Sequence, residues 1–135
     1  MNKKKVTIID YKCGNIFSLM RILKEFNCSV QVSENFDEIS KAEKLVLPGV
    51  GSFSLGISNI KAKNLDKAIL SFLDRGNYLL GICLGMQLLV SESDEFGSHK
   101  GLNLIAGKAT KLKKDKNVKI PHTGWNTVNF NENNL

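Results

Sequence analysis

The sequence contains only three cysteines, Cys13, Cys28 and Cys83, which are odd in number and widely spaced. This pattern fits neither a disulfide framework nor a zinc site, since both need cysteines in pairs or at short fixed spacings. Long hydrophobic runs are also absent, because no apolar stretch approaches the roughly 20 residues that a spanning helix needs. We therefore expect reduced thiols, no metal, no cofactor and no membrane span.

The amino terminus lacks a recognisable signal peptide. MNKKKVTIID begins with basic residues, but its apolar stretch is far shorter than a signal-peptide core, and no small-residue cleavage site comes after it. We expect a cytoplasmic protein. With 42% hydrophobic and 24% charged residues, the 135-residue chain is typical of a single soluble domain without repeats or low-complexity linkers.

The net charge of +6 raises the question of nucleic-acid binding. The basic segment GKATKLKKDKNVK lacks interleaved aromatic side chains and any recognised helix or finger motif, so no nucleic-acid partner is expected. We interpret the segment as a solvated strand or hairpin whose lysines protect a sheet edge, with an acidic partner or phosphorylated substrate as the alternative. The lysines concerned are Lys108, Lys111, Lys113, Lys114, Lys116 and Lys119.

Apolar periodicity predicts strands that alternate with helices. Strands are expected at 5–10, 28–33, 44–48 and 78–82, where β-branched or alternating residues are bounded by turn signals. Asn15 is a predicted N-cap, SENFDEISKA a short capped helix, and NLDKAILSFLDRG a longer one with Leu65, Ala68, Ile69, Phe72 and Leu73 on its apolar face and Gly76 as its stop. The helix after Asn15 should bury a core-facing stripe made by Ile16, Leu19, Met20, Leu23 and Phe26.

This alternation predicts an α/β fold, with a mostly parallel open sheet covered by helices on both faces in three layers. Right-handed crossovers then place each loop that leads from a strand into a helix at the carboxyl edge of that sheet. Beyond Gly97, the segments GLNLIAGKATKL, NVKI and NTVNF look like short strands without helices between them. They predict a small antiparallel extension.

The stretch GICLGMQLL places Cys83 between Gly81 and Gly85, after a predicted strand and before the helix-forming LGMQLLVSE. A turn this tight forces its middle residue into a sparsely populated conformation, and the glycines relieve crowding between strand and helix. Most free cysteines are buried fillers, which is our interpretation of Cys13 and Cys28. For Cys83 the pattern favours a nucleophile that projects at the carboxyl edge, where backbone N–H groups point towards an adjacent anion.

A second glycine-rich loop comes after the third strand, in LPGVGSF. Its backbone can approach a substrate closely, with N–H groups turned towards a developing negative oxygen, although an ordinary turn would also suit Pro-Gly. Two such loops at neighbouring strand ends suggest acyl transfer at a carbonyl. Cys83 would attack, while the N–H of Leu84 and the loop of Gly49, Val50 and Gly51 would hold the oxyanion.

Four segments, DYKCGN, LPGVGSF, GICLGMQLL and IPHTGWN, occur in an order and spacing that resembles the class I (triad) glutamine amidotransferases. Within that family, the resemblance is to the glutaminase subunits that pair with a (β/α)8-barrel cyclase in histidine biosynthesis. It extends over nearly the whole chain and implies a flavodoxin-like, three-layer fold.

The resemblance implies that Cys83 attacks the side-chain amide of glutamine, releases ammonia and forms a glutamyl thioester that water cleaves to glutamate. It assigns glutamine binding to Gln87 and implies that the PGVG loop flips when the partner binds its substrate. The barrel subunit would form a heterodimer with this chain and receive the ammonia. PHTGWN matches the interface segment, with His122, Trp125 and Asn126, although a core position for Trp125 is equally compatible with its chemistry.

One departure from the family pattern concerns the catalytic base. The family's triad is completed by a His-x-Glu pair near the carboxyl terminus, and the only histidines here are His99 and His122. His122 lies in the interface motif without an acid at the required spacing, and His99 lies in the polar stretch EFGSHKG, where we expect it to be solvated. We therefore expect residues 1–135 to be one domain that is incomplete at its carboxyl end.

Three alternatives remain open from the sequence. A paralogous amidotransferase could supply ammonia to a surface-sugar amidation enzyme, since DYKCGN and PHTGWN are compatible with both acceptors. A thiol hydrolase or redox-type protein could use the same elbow without any dependence on glutamine. A noncatalytic binding module could keep only the partner contacts.

Overall fold

A four-stranded parallel sheet organises the amino-terminal two thirds of the chain, in the strand order β2-β1-β3-β4. The computed structural model describes residues 3–113, 120–121 and 123–129. The elements in chain order are β1 (Lys4–Ile9), α1 (Ile16–Glu25), β2 (Cys28–Ser33), α2 (Phe36–Ser40), β3 (Leu45–Leu47), α3 (Phe53–Ala62), α4 (Leu65–Leu73), β4 (Leu79–Gly81), α5 (Leu84–Gln87), β5 (Val90–Ser93), β6 (His99–Lys100) and β7 (Ile105–Ala109).

The predicted α/β fold is confirmed. All four predicted strands form, and Asn15 caps α1 as expected, its side chain accepting a hydrogen bond from the Ser18 N–H at 3.3 Å. Gly76 comes after α4 with a φ of +76°, a left-handed conformation that ends a helix at low cost for glycine. Local sequence signals therefore determine where these elements begin and end.

The main core lies on one face of the sheet, beneath α2, α3, α4 and α5. Alternate residues of β1 and β3 point into it, as the period of two along a strand requires. Apart from the Tyr11 hydroxyl its most buried side chains are apolar, and each fully buried large apolar side chain contributes roughly 1.5–3 kcal/mol to folding. Its most buried members are Ile9, Tyr11, Ile39, Leu45, Leu47, Phe53, Ile60, Leu65, Ala68, Ile69, Phe72, Leu84 and Leu88.

The opposite face of the sheet carries α1, and here the prediction of a buried stripe is wrong. No residue of α1 is buried, and Phe26 at its C-cap is 77% exposed. The helix packs against β2 at the sheet edge, with no neighbouring helix described beside it on that face, so its apolar side chains are covered on one side only. The fully buried residues of this face are those of the strands, Val6, Ile8 and Val46.

Helix α3 was not identified from the sequence. Ser52 caps it by accepting a hydrogen bond from the Leu55 N–H at 3.4 Å, and Phe53, Ile57 and Ile60 are buried on one helical face. This spacing could have predicted the helix, but Gly56 within it weakens the signal. Gly56 is used for packing, because a Cβ there would come within 3.1 Å of the Leu88 side chain.

A second, three-stranded sheet of order β6-β5-β7 lies after the parallel sheet in the chain. It corrects the prediction of a helix through LGMQLLVSE, because α5 ends at Gln87 and Val90 begins a strand. The predicted antiparallel extension is a mixed sheet, since β5 pairs antiparallel with β6 but parallel with β7. Residues 126–129 of NTVNF form no strand, and most of NVKI lies outside the described residues.

Among the strands that the structure describes, β7 is an edge of this second sheet, and it carries Lys108. The Lys108 ammonium lies 3.4 Å from a Glu92 carboxylate oxygen and 3.9 Å from Asp94, while Lys111 and Lys113 are exposed. Lys108 thus lies on an edge strand and pairs with carboxylates, and its edge-protecting role stays a prediction. The remaining lysines of the cluster, Lys114, Lys116 and Lys119, lie outside the described residues.

Candidate active site

The turn between β4 and α5 holds Cys83 in an unusual backbone conformation, with φ +55° and ψ −118°. A cysteine pays an energetic penalty there that glycine would avoid, and such strain concentrates at functional sites. The thiol is exposed, in contrast to the buried thiol of Cys13. Cys28 is only partly buried, so its interpretation as a buried filler is wrong. The structure thus presents Cys83 to solvent at the carboxyl edge of the parallel sheet, as the elbow pattern predicts.

The glycines on either side of Cys83 allow strand and helix to approach closely. A Cβ on Gly85 would collide with the backbone carbonyl oxygen of Leu47, and a Cβ on Gly81 would lie 2.8 Å from the Met86 Cα. Neither position could hold a larger residue without displacing backbone. Close packing of β4, α5 and β3 therefore enforces the sharp turn that exposes the thiol.

The PGVG loop lies directly against this elbow. The Ile82 N–H donates to the Leu47 carbonyl oxygen at 2.9 Å, and the Leu84 N–H donates to the Gly49 carbonyl oxygen at 3.3 Å. A Cβ on Gly49 would lie 2.7 Å from the Gly85 nitrogen and 2.8 Å from the Leu84 Cβ. The structure therefore brings together the two glycine-rich loops that sequence analysis linked only by their positions at strand ends.

Two of the predicted oxyanion donors, the N–H groups of Leu84 and Val50, are engaged within the protein in this conformation. Besides the Leu84 bond to Gly49, the Val50 N–H donates to the Cys13 carbonyl oxygen at 3.1 Å. Both bonds involve one peptide unit, since the Gly49 carbonyl and the Val50 N–H belong to the same peptide group. Rotation of that single unit would free both N–H groups, and the exposed neighbour Gly51, with φ +114°, has room for such a change.

A surface cleft of about 430 Å³ opens one helical turn beyond Cys83. Gln87 lines it and is tied to the elbow by its N–H, which donates to the Cys83 carbonyl oxygen at 3.2 Å. The acidic side of the cleft was not predicted from the sequence, because LGMQLLVSE was interpreted as a helix and EFGSHKG as a loop. The other lining residues are Ser93, Asp94, Glu95, Phe96, Ala109, Thr110 and Lys111.

Glu95 connects the cleft to the PGVG loop. One of its carboxylate oxygens accepts a hydrogen bond from the Phe53 N–H at 2.6 Å, at the first turn of α3, and its own N–H donates to Ser93 Oγ at 3.1 Å. A carboxylate at a helix start is favoured by the helix dipole. The carboxylate thereby joins the segment that leaves the PGVG loop to the strand that walls the cleft.

Of the two histidines, only His99 lies among the described residues, and it belongs to the second sheet. His99 is on β6 opposite Ser93, is half-buried, and has its Nε2 buried without a hydrogen-bond partner among the described residues. The expectation of a solvated loop histidine is therefore wrong, because pairing with β5 turns the ring towards the protein. His122 lies outside the described residues, while Trp125 and Asn126 are exposed.

A charged cluster lies at the same edge of the sheet, beyond β1. Lys12 contacts Asp10 at 2.7 Å and Glu34 at 3.0 Å, and Lys63 also pairs with Glu34. Partial burial acts to raise the pKa of Asp10, but hydrogen bonds and charge from Lys12 outweigh it and leave that pKa lowered. Hydrogen bonds from Lys63 and Lys12 lower the pKa of Glu34. Within the described ranges, no three His, Cys, Asp or Glu side chains group as metal ligands.

An exposed cysteine on a strained turn at the carboxyl edge of an open parallel sheet, with a glycine loop beside it, has the geometry of a nucleophile elbow. The chain belongs to the class-I glutamine amidotransferase family, whose sequence model matches residues 7–134. None of the helices in the part of the chain that the structure describes is long and apolar enough to cross a membrane.

Similarity to individual curated proteins is more specific than the match to the family model. The chain is 45% identical over 131 residues to the imidazole glycerol phosphate synthase subunit HisH of Bacillus velezensis, an alignment that covers 94% of this chain and 62% of that protein. HisH of Helicobacter hepaticus is 41% identical over 140 residues, covering 96% and 64%, and HisH of Bacillus subtilis is 43% identical over 129 residues, covering 93% and 61%. The chain thus spans about three fifths of the length of these relatives.

A solved structure supports the fold alone. A crystal structure of a peptidase E-like protein from Listeria monocytogenes superimposes with a TM-score of 0.60 at 19% sequence identity. The match covers 76% of this chain and 63% of that protein. It is independent evidence for the open parallel sheet and carries no information about the substrate.

Proposed function

We propose that this chain is the catalytic part of a glutaminase subunit that supplies ammonia to a (β/α)8-barrel cyclase, as in imidazole glycerol phosphate synthase. The observation that carries the proposal is the exposed Cys83 on its strained elbow, in hydrogen-bond contact through Leu84 with the PGVG loop. The HisH relatives favour this partner over the surface-sugar alternative. Cytoplasmic location and a heterodimer are parts of the same proposal.

In the proposed reaction, the Cys83 sulfur attacks the carboxamide carbon of glutamine and forms a tetrahedral intermediate with a negative oxygen. Rotation of the Gly49–Val50 peptide turns the Val50 N–H towards that oxygen and releases the Leu84 N–H as a second donor. The carbon–nitrogen bond then breaks, the thiol proton leaves with the nitrogen as ammonia, and a glutamyl thioester remains. Water cleaves the thioester to glutamate and regenerates the thiol.

Glutamine binding is proposed for the cleft beside Gln87. Asp94 and Glu95 give the cleft negative charge suited to the ammonium group of an amino acid, while Lys111 at its rim suits the carboxylate. The Gln87 side chain is the nearest of these groups to the elbow along the chain and offers both a donor and an acceptor to the bound amino acid. Proton transfer is assigned to the family's His-x-Glu pair, which lies beyond residues 1–135 in the family pattern.

Partner contact is proposed for PHTGWN, on the basis of the exposed Trp125 and Asn126. A fully exposed tryptophan is unfavourable in water and is typical of interface anchors, where aromatic side chains contribute much of the binding energy. His122 belongs to the same proposal by its place in the motif.

The test is glutamate formation from glutamine by the full-length gene product mixed with its cyclase subunit. Replacing Cys83 by Ala should reduce the rate at least about 10³-fold, since the nucleophile is lost. Cys28→Ala is the matched control and should leave the rate within about twofold, because its half-exposed thiol lies on β2, away from the elbow. A glutamine-like affinity reagent should label Cys83, and excess glutamine should block the labelling. Hydrolysis retained in Cys83→Ala would refute the proposal.

A further inference from the structure

Tyr11 has no role in the proposed reaction, yet it lies beneath the PGVG loop. It comes after β1 at the carboxyl edge of the sheet and is 1% exposed. Its hydroxyl donates a hydrogen bond of 2.6 Å to the Pro48 carbonyl oxygen. A buried tyrosine hydroxyl usually has a hydrogen-bond partner. Here the partner is Pro48, the first residue of the loop that carries the predicted oxyanion donors.

The contact between Tyr11 and the loop is close. A Cβ on Gly49 would collide with the Tyr11 hydroxyl, so the ring supports the loop backbone at the residue where the loop also touches the elbow. Burial raises the pKa of Tyr11 well above its ordinary value, with smaller contributions from Cys13 and Cys83. The hydroxyl therefore stays protonated at neutral pH and remains a donor.

The two neighbouring peptide units of the loop are held in different ways. The unit from Gly49 to Val50 is held by the bonds to Leu84 and Cys13, at 3.3 and 3.1 Å, and both must break for the N–H groups to face a substrate. The preceding unit, which contains the Pro48 carbonyl, is held by the shorter bond from Tyr11. When the Gly49–Val50 peptide rotates, its N–H reaches one defined position only if the preceding Pro48–Gly49 peptide stays in place.

We propose that Tyr11 is a positioning residue that pins the Pro48 carbonyl, so that the Gly49–Val50 peptide turns about a fixed end and delivers its N–H to one position. The inference rests on the proposed function, because it concerns the same oxyanion loop. Without the hydroxyl, the whole loop shifts and the donor is spread over several positions. Oxyanion donors act on the transition state, so the loss falls on kcat and leaves glutamine binding unchanged.

The first test compares Tyr11→Phe with Tyr78→Phe in the full-length gene product mixed with its cyclase subunit. Tyr11→Phe should lower kcat for glutamine hydrolysis about tenfold with KM within about twofold, a fraction of the loss expected for removing an oxyanion donor outright. Tyr78 is the matched control, since it is the other tyrosine and is 92% exposed. Unchanged kcat in Tyr11→Phe, or a change in KM alone, would overturn the inference.

The second test needs no activity and separates this inference from the proposed function. Amide hydrogen exchange of residues 47–53 should rise about tenfold in Tyr11→Phe and stay unchanged in Tyr78→Phe, because the loop loses its fixed end. The rate of Cys83 alkylation by iodoacetamide should not change, since the elbow itself is intact. If the wild type hydrolyses no glutamine but the exchange rises, the proposed function fails while the role of Tyr11 stands. Unchanged exchange, or a parallel loss of alkylation, refutes that role.

Discussion

The backbone conformation of Cys83, the proposed nucleophile, is energetically unfavourable. Its φ of +55° and ψ of −118° lie where a side chain is disfavoured, at a cost of about 1–3 kcal/mol. The packing of Gly81 and Gly85 against neighbouring backbone leaves no room to relax this conformation. The fold therefore carries a local destabilisation whose structural result is an exposed thiol.

This strain predicts an unusual rank order of stability at position 83. Cys83→Gly should be more stable than Cys83→Ala by about 1 kcal/mol, because relief of strain exceeds the extra unfolded-state entropy of glycine. Denaturant unfolding of both variants of the full-length gene product measures the difference. At Cys28, the first residue of β2, the order should reverse, since glycine loses more conformational freedom on folding than alanine and the extended backbone there needs no glycine. Alanine as the more stable residue at position 83 would contradict a strained elbow.

At the scale of elements, salt bridges link the segments that come after the carboxyl ends of β1 and β2. Lys12, just after β1, bridges Asp10 and Glu34, and Glu34 also pairs with Lys63 beyond α3. Lys12 and Glu34 are exposed and Asp10 and Lys63 are partly exposed, so the pairs contribute modestly and are screened by salt. Their effect is to tie three loops at the edge of the sheet where the candidate site lies.

The lowered pKa values of Asp10 and Glu34 predict how this contribution depends on pH. A carboxylate with a lowered folded-state pKa stabilises the protein above its unfolded pKa, and the stabilisation is lost as the pH falls through the folded value. Lys12→Gln should therefore be less stable than wild type at pH 7, with the difference shrinking towards pH 3. Urea midpoints at both pH values measure this. Lys67→Gln, at an exposed position of α4, should show no such trend. A Lys12→Gln deficit that persists at pH 3 would exclude the ion pairs as its cause.

Helix α5 and strand β5 show why element boundaries near the site were difficult to predict. LGMQLLVSE has helix-forming residues throughout, yet the helix ends after a single turn at Gln87. The backbone of the next residues is used by the second sheet, where the Asn103 N–H donates to the Val90 carbonyl at 3.1 Å and the Leu104 N–H to the Leu89 carbonyl at 2.8 Å. Hydrogen-bond partners more than ten residues away along the chain therefore determine where α5 ends. The sequence immediately around Gln87 does not reveal these partners.

At the scale of the whole molecule, the two faces of the parallel sheet are unequal. One face is covered by four helices, whereas the other carries α1 over β2 and leaves apolar side chains of β4 and its flanks uncovered in the described structure. Tyr78 is 92% exposed, Leu80 55% and Ile82 36%. Together with the unpaired edge of β4 in the described sheet, this is a surface on which proteins associate.

The uncovered apolar side chains of β4 and its flanks predict self-association of the 135-residue chain. The wild-type chain should form concentration-dependent oligomers, and Leu80→Glu should shift it towards monomer by placing a charge on the uncovered face. Size-exclusion chromatography with light scattering measures the change. Ser58→Glu adds the same charge to an exposed position on α3 and should leave the oligomers unaffected. Equal behaviour of the two variants would show that association does not use this face.

The sequence by itself determined the alternation of strands and helices, the cap at Asn15, the elbow at Cys83 and the glycine loop after β3. These features depend on residue type and short spacing, and so they can be recognised without a fold. Only the tertiary structure decided that the Val50 and Leu84 N–H groups are engaged, that Glu95 joins the cleft to α3, that His99 turns inward and that α1 stays half-covered. Each of these depends on which groups meet across long separations in the chain, as Tyr11 and Pro48 do, and that is settled by packing and not by local propensity.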